Sequence, residues 1–137
     1  MLIAAINLIK DPALDSYAMR PRLKVWIENE DGSVALSEWR VGLLRAVSEH
    51  GSLVAAAKAL GIPHRTAWQR IQEMESSLGV RLLETVSGGV GGGRSTLSPA
   101  AQEFIRRYEA VRAGLDELIA ERFEQAFSNT AEQLTRR

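Results

Sequence analysis

Between Ser52 and Gln69 the chain gathers side chains suited to a charged, hydrogen-bonding surface: Ser52, His64, Arg65, Thr66 and Gln69, followed by Gln72. Arg and Gln present forked donors or donor–acceptor pairs that match base edges in a DNA major groove. Ser and Thr hydroxyls, with the free N–H groups of helix starts, suit phosphate oxygens. Downstream, Ser87-Gly88-Gly89-Val90-Gly91-Gly92-Gly93-Arg94-Ser95 sets the cation Arg94 beside a pliable glycine run. A cation delivered on such a loop reaches a minor groove or a flanking phosphate; the other reading of Arg94 is loop solubility. The chemistry these residues share is contact with double-stranded DNA.

Other chemistries fit less well. The glycine run lacks the Gly-Lys-Ser/Thr ending of a phosphate-binding P-loop and the spacing of a dinucleotide fingerprint, and it leads from strand to strand, not into a helix start. No Ser/His/Asp set or carboxylate pair stands out, so no enzyme is expected. With no Cys and only His50 and His64, neither a metal site nor a cofactor is expected.

The chain has 137 residues, 45% hydrophobic and 25% charged, which fits one globular domain with an appendage. No apolar run approaches the roughly 18–20 residues that cross a bilayer, and Leu2–Ile9 lacks the basic flank and cleavage site of a secretory signal. A cytoplasmic protein without a membrane partner is expected. Seventeen basic and seventeen acidic residues cancel, so nucleic-acid binding must rest on local charge. Residues 51–97 supply it, with Lys58, Arg65, Arg70, Arg81 and Arg94 against Glu73, Glu75 and Glu84.

The elements that position these residues read as follows. Residues 1–20 form an N-terminal extension, either a short helix ending before Pro12 or a segment upstream of a start at Met19. Leu23, Val25 and Ile27 alternate with Lys24, Trp26 and Glu28 as a half-buried strand, Asn29–Gly32 is a tight turn, and Ser33–Leu36 returns. Ser37 caps a helix over Glu38–His50 with Val41, Leu43, Leu44 and Val47 inward. Gly51 ends it, Ser52 caps an alanine-rich helix over Leu53–Leu60, and Gly61 ends that. A third helix spans Pro63–Leu78, its inner ridge Ala67, Ile71, Met74 and Leu78. Val80–Val86 and Thr96-Leu97 make a hairpin around the glycine run. Ser98 caps and Pro99 opens a long helix to about Phe127. Residues 129–137 fray.

Two short helices about a glycine turn, then a hairpin, define a winged helix-turn-helix. The fold class expected is mainly α with small β-hairpins, with DNA contact in residues 21–98 and a long C-terminal dimerisation helix over 99–128. That helix would run about 43 Å, longer than a domain of this size is wide. Its distal stripe, Leu115, Leu118, Ile119 and Phe123, therefore needs a partner, and a homodimer supplies one.

The segment Glu49-His50-Gly51-Ser52-Leu53-Val54-Ala55-Ala56-Ala57-Lys58-Ala59-Leu60-Gly61-Ile62-Pro63-His64-Arg65-Thr66-Ala67-Trp68 resembles the N-terminal domain of the ModE-type molybdate-responsive transcription regulators. Their core reads G-S-I-S-x-A-A-K-x-x-G-[IM]-S-Y-[KR]-x-A-W. The Ser87–Arg94 loop resembles their T-G-G-x-G-G-G wing, and the likeness covers about residues 20–125. A weaker likeness to LysR-type helix-turn-helix domains lies in Leu78-Gly79-Val80-Arg81-Leu82-Leu83-Glu84. The resemblance implies a winged-helix domain that binds a palindromic operator as a dimer through its long helices. It places DNA contacts at Ser52, His64, Arg65, Thr66, Gln69 and at Gly91, Gly92, Gly93 and Arg94 of the wing. Pro63-His64 departs from the family's Ser-Tyr at the reading end of the helix, which leaves the target sequence open. Full-length members carry a C-terminal molybdate-binding domain, whereas here only about ten residues follow the last helix. Molybdate binding is therefore not expected of this chain, which resembles a short form.

Trp68 is expected as a packed brace on the third helix in preference to a DNA contact, and Trp26 and Trp39 as core or interface groups. His64 is expected to be exposed. Two rivals stand beside the DNA reading: a winged-helix protein-interaction module working through the apolar long helix, and an oxyanion (molybdate) binder without DNA binding.

Overall fold

Asp31 and Gly32 close the first hairpin, with Gly32 at φ 85° in the left-handed region that glycine adopts without strain. The computed structural model describes residues 19–86 and 93–135, with side chains through Phe127. Strands β1 (Trp26–Glu28) and β2 (Val34–Ser37) pair antiparallel, Ile27 opposite Leu36, with the register shifting after Ile27. The Ser33 hydroxyl and N–H both donate to Asp31 Oδ1, at 2.5 and 2.9 Å, and these bonds hold the Asp31 carboxyl below its usual range. The alternation expected from the sequence is present, with Val25 and Ile27 inward and Lys24, Trp26 and Glu28 exposed. The ladder itself starts only at Trp26. Its partner Ser37 ends β2 and turns away to cap a helix, so the residues before Trp26 have no strand to pair with.

The three helices that follow are set by their ends. Helix α1 (Glu38–His50) begins where the Ser37 hydroxyl accepts the Arg40 N–H at 3.2 Å and stops at Gly51, φ 79°. Helix α2 (Leu53–Leu60) begins where Ser52 Oγ accepts the Ala55 N–H at 3.0 Å and stops at Gly61, φ 68°. Helix α3 (His64–Leu78) ends at Gly79. Pro63 stands just outside α3, at φ −62° and ψ 142°, so it caps the helix where the sequence reading placed it inside. The Ser37 and Ser52 hydroxyls satisfy N–H groups that a helix start would otherwise leave orphaned, whereas Pro63 offers no side-chain acceptor.

Strands β3 (Leu83–Val86) and β4 (Arg94–Leu97) form the wing, antiparallel, with Leu83 opposite Leu97 and Val86 opposite Arg94. The expected strand over Val80–Val86 is shorter. The Leu82 N–H is taken by the Glu75 carboxylate at 2.8 Å instead of a neighbouring strand. Helix α4 (Pro99–Arg112) starts on the Ser98 cap, and helix α5 (Leu115–Thr135) follows. The helical stretch expected from Pro99 to Phe127 is thus present, divided at Gly114, whose φ is 78°. The backbone stays helical past Phe127, to Thr135.

The chain divides into two compact units: Lys24–Val111, and a second to which residues 19–23 and 112–135 belong. The core of the first is the inner faces of α1, α2, α3, the wing root and the start of α4: Leu43, Leu44, Val47, Ala56, Ala57, Ala67, Ile71, Met74, Leu82 and Ala101, all buried. Ala56, Ala57 and Ala67 are small, which lets α2 and α3 approach closely. A second patch joins Leu36, Val41 and Tyr108, and the Tyr108 hydroxyl donates to the Val25 carbonyl at 2.7 Å, fixing α4 to the first hairpin. Burial of aliphatic side chains at roughly 1.5–3 kcal/mol each is the main force holding this unit together. The result is a winged helix-turn-helix, mainly α with two small antiparallel hairpins. Among the described residues, no helix is long and apolar enough to cross a membrane.

Candidate nucleic-acid interface

Helix α3 offers the exposed surface on which the expected contacts fall. Its inner ridge, Ala67, Ile71 and Met74, is buried, and Leu78 is half-buried. That ridge turns His64, Arg65, Trp68, Gln69 and Gln72 to solvent, all exposed, with Thr66 half-buried. Arg65 makes no ion pair with another described residue, whereas Arg70 on the flank is held by Glu73 at 3.0 Å. Arg65 and Gln69, one turn apart, are thus left with their hydrogen-bonding groups open.

Several bonds lock this helix in place. The Asn29 amide donates to Ser77 Oγ at 2.5 Å, tying the first hairpin to the end of α3. Arg40 donates to the Val34 carbonyl at 2.5 Å and lies 3.7 Å from the Glu73 carboxylate, bridging α1, β2 and α3. Glu75 binds the Leu82 N–H, and Ser98 Oγ donates to the Arg81 carbonyl at 2.6 Å. The Ser95 N–H donates to the Gly51 carbonyl at 2.9 Å, fastening β4 to the turn between α1 and α2. The wing root and the exposed face of α3 are therefore held as one rigid body by hydrogen bonds at both edges.

Between them lies a cleft of about 310 Å³. Ser52, Val54, His64, Trp68, Gln72 and Arg81 are among its lining residues, and the wing adds Thr85, Gly93 and Ser95. Of the expected contacts, the structure brings Ser52, His64 and Gly93 into this cleft and leaves Arg65 and Gln69 on the adjoining face of α3. Ser52 Oγ accepts the capping N–H and keeps its own O–H to donate. Gly91 and Gly92 lie outside the described residues.

Three placements differ from the sequence reading. Arg94 is the first residue of β4, opposite Val86, so it belongs to the outer end of the ladder beside the glycine run and not to the loop itself, because the ladder extends two residues further than expected. Trp68 is 53% exposed and lines the cleft, so it is no packed brace; α2 and the wing root meet α3 on either side of it without covering it. Trp26 and Trp39, at 56% and 44% exposure, lie outside the core because they take the outward phase of β1 and of the first turn of α1, so of the two expected places the core is excluded and an interface is left. Sequence reasoning also passed over Arg81, an exposed cation that lines the cleft, although the residue stood in the basic middle of the chain.

The stripe assigned to dimerisation lies on α5. There Leu118 is 41% exposed, while Leu115, Ile119 and Phe123 are half-buried. Phe123 stacks on Phe127 with ring centroids 4.5 Å apart.

Residues 40–102 match the family model of the bacterial regulatory helix-turn-helix protein, lysR family. The molybdenum-pterin-binding protein MopB of Rhodobacter capsulatus is 36% identical over 59% of this chain and 30% of its own length. The molybdenum transport protein ModE of Herbaspirillum seropedicae is 38% identical over 46% of this chain and 23% of its own. The DNA-binding transcriptional dual regulator ModE of Escherichia coli is 36% identical over 51% and 27%. Among solved structures, a BenM_DBD/catB site 1 DNA complex aligns with a TM-score of 0.48 at 24% identity, over 64% of this chain and 92% of that one. The chain spans about 30% of the length of the first of these relatives. The resemblance to ModE-type regulators read from the sequence thus holds over about half of the chain.

Proposed function

We propose that this chain is a DNA-binding transcription regulator that grips double-stranded DNA as a homodimer. The observation that carries the reading is the outer face of α3, where Arg65 and Gln69 are exposed and Arg65 is free of any ion pair among the described residues. That face is presented by a helix whose every other side is bonded or buried, as a reading helix must be to hold its register in the major groove. In this reading Arg65 and Gln69 contact base edges, Ser52 and Thr66 contact phosphates, and His64 and the wing at Gly93 and Arg94, with Gly91 and Gly92 beyond it, lie along the flanking groove. The sequence similarity to ModE of Escherichia coli, a DNA-binding regulator by its description, supports the same function.

The exposed Leu118 on α5, with Leu115, Ile119 and Phe123 beside it, supports pairing of two copies, which would present two reading helices about one helical turn apart. In this reading DNA contact falls to residues 21–98 and dimerisation to the helical stretch 99–128, whose first part, α4, also packs into the Lys24–Val111 unit.

The test is selection of bound fragments from a genomic library of duplex DNA by the purified chain, followed by titration of an enriched fragment at two salt concentrations. The expected result is a two-fold symmetric site whose affinity falls steeply with salt as counterions are released. Failure to enrich any duplex, or an affinity indifferent to salt, removes the DNA reading.

A further inference from the structure

An indole with half of its surface in water is an unfavourable exposure that a surface helix ordinarily avoids, and on α3 it occurs in a specific place. Trp68 is 53% exposed on the edge of the cleft toward the wing. At 3.6 residues per turn it lies about 60° around the helix axis from Arg65, with Gln72 between them. Trp68 therefore shares the outward arc of the proposed reading face. Val54, in the first turn of α2, is 60% exposed and lines the same cleft. Two exposed apolar side chains, one from each helix, thus border a cleft whose lining also includes the polar residues Ser52, His64, Gln72, Arg81, Thr85 and Ser95.

The major groove of DNA displays a single apolar group, the C5-methyl of thymine. An indole face at the rim of a reading helix, with an aliphatic side chain across the cleft, fits that group and no other feature of a base edge. Resting on the DNA-binding reading above, we propose that Trp68, assisted by Val54, is a specificity-determining residue that selects thymine at one position of each half-site by packing against its methyl group. Arg65 and Gln69 then supply the hydrogen-bond readout, and Trp68 an apolar readout on the wing side of them.

Replacing thymine by deoxyuridine removes the methyl and leaves every hydrogen-bonding group of the base pair in place. The probe is the duplex enriched by the parent chain, substituted with deoxyuridine at one thymine position at a time. The parent should lose affinity about fourfold at one position per half-site, the weight of one buried methyl. Trp68→Ala should bind the thymine duplex about fourfold or more weakly and lose the discrimination, giving equal affinities for the thymine and deoxyuridine probes. Val54→Ala should weaken the discrimination only partly. Because both side chains are exposed, the variants should fold as the parent does, which circular dichroism checks, and Trp68→Phe should retain part of the preference. A parent indifferent to every methyl, or a Trp68→Ala variant that keeps the full thymine preference, overturns this inference while leaving the DNA reading intact. A parent that enriches no duplex overturns both.

Discussion

The carboxylate of Glu75, in the last turn of α3, accepts the main-chain N–H of Leu82 at 2.8 Å across the turn at Gly79. Leu82 is fully buried and its carbonyl accepts the Ser98 N–H at 2.9 Å, so the strand entering the wing is held from both sides. This contact sets how the wing root stands against the exposed face of α3.

Glu75→Ala should cost about 1–3 kcal/mol of unfolding free energy, since it leaves a main-chain donor without its charged acceptor. Urea denaturation measures the loss. An unchanged midpoint would show that water replaces the carboxylate without penalty.

Arg65→Ala should lower affinity for the enriched duplex by roughly 1–3 kcal/mol and relax preference at one base position, with unfolding unchanged, because the side chain is exposed and makes no ion pair with another described residue. Gel-shift titration of variant and parent on matched and single-mismatch probes reads both effects.

Arg81 and Arg94 stand on the wing side and make no ion pair with another described residue. Each, changed to Ala, should weaken binding uniformly across sequences and reduce the slope of log affinity against log salt by about one. A variant with the parent's slope has no phosphate contact at that residue.

Leu118→Glu should shift the chain toward monomer in sedimentation equilibrium while the secondary structure is preserved, because a charge placed at an exposed apolar position of a helix harms only an interface. A dimer of undiminished stability would locate self-association elsewhere.

Glu103 accepts hydrogen bonds from Arg106 and Arg107 on the exposed side of α4, which hold its pKa down to about 2 from 4.5. A carboxylate with a lowered folded-state pKa favours the native state above the unfolded value, and that contribution fades as pH falls toward the folded value. Glu103→Gln should therefore melt slightly below the parent at neutral pH, and the difference should vanish between pH 4.5 and about 2. Water screens the exposed pair, so the gap should be small. A gap that widened on acidification would contradict the assignment.

Helix ends were legible because their signals are local. Ser37, Ser52 and Ser98 cap through bonds to N–H groups three residues on, and Gly51, Gly61 and Gly79 take left-handed conformations that their own backbone allows. The buried ridge of Ala67, Ile71 and Met74 was equally legible, since helical period fixes which residues share a side. The break at Gly114 had a glycine as its signal, yet the apolar stripe Val111, Leu115, Leu118 keeps its period across it, so periodicity alone reads through the turn.

By itself the sequence determined the helix-turn-helix, its caps and the outward set of Arg65 and Gln69, because backbone geometry and helical period act over three or four residues. Only the tertiary structure decided that Trp68 faces water, that Arg94 pairs with Val86 at the outer end of the wing ladder and that Arg81 borders the cleft. Exposure and strand register depend on which distant elements come to lie alongside, and spacing along the chain carries no record of that.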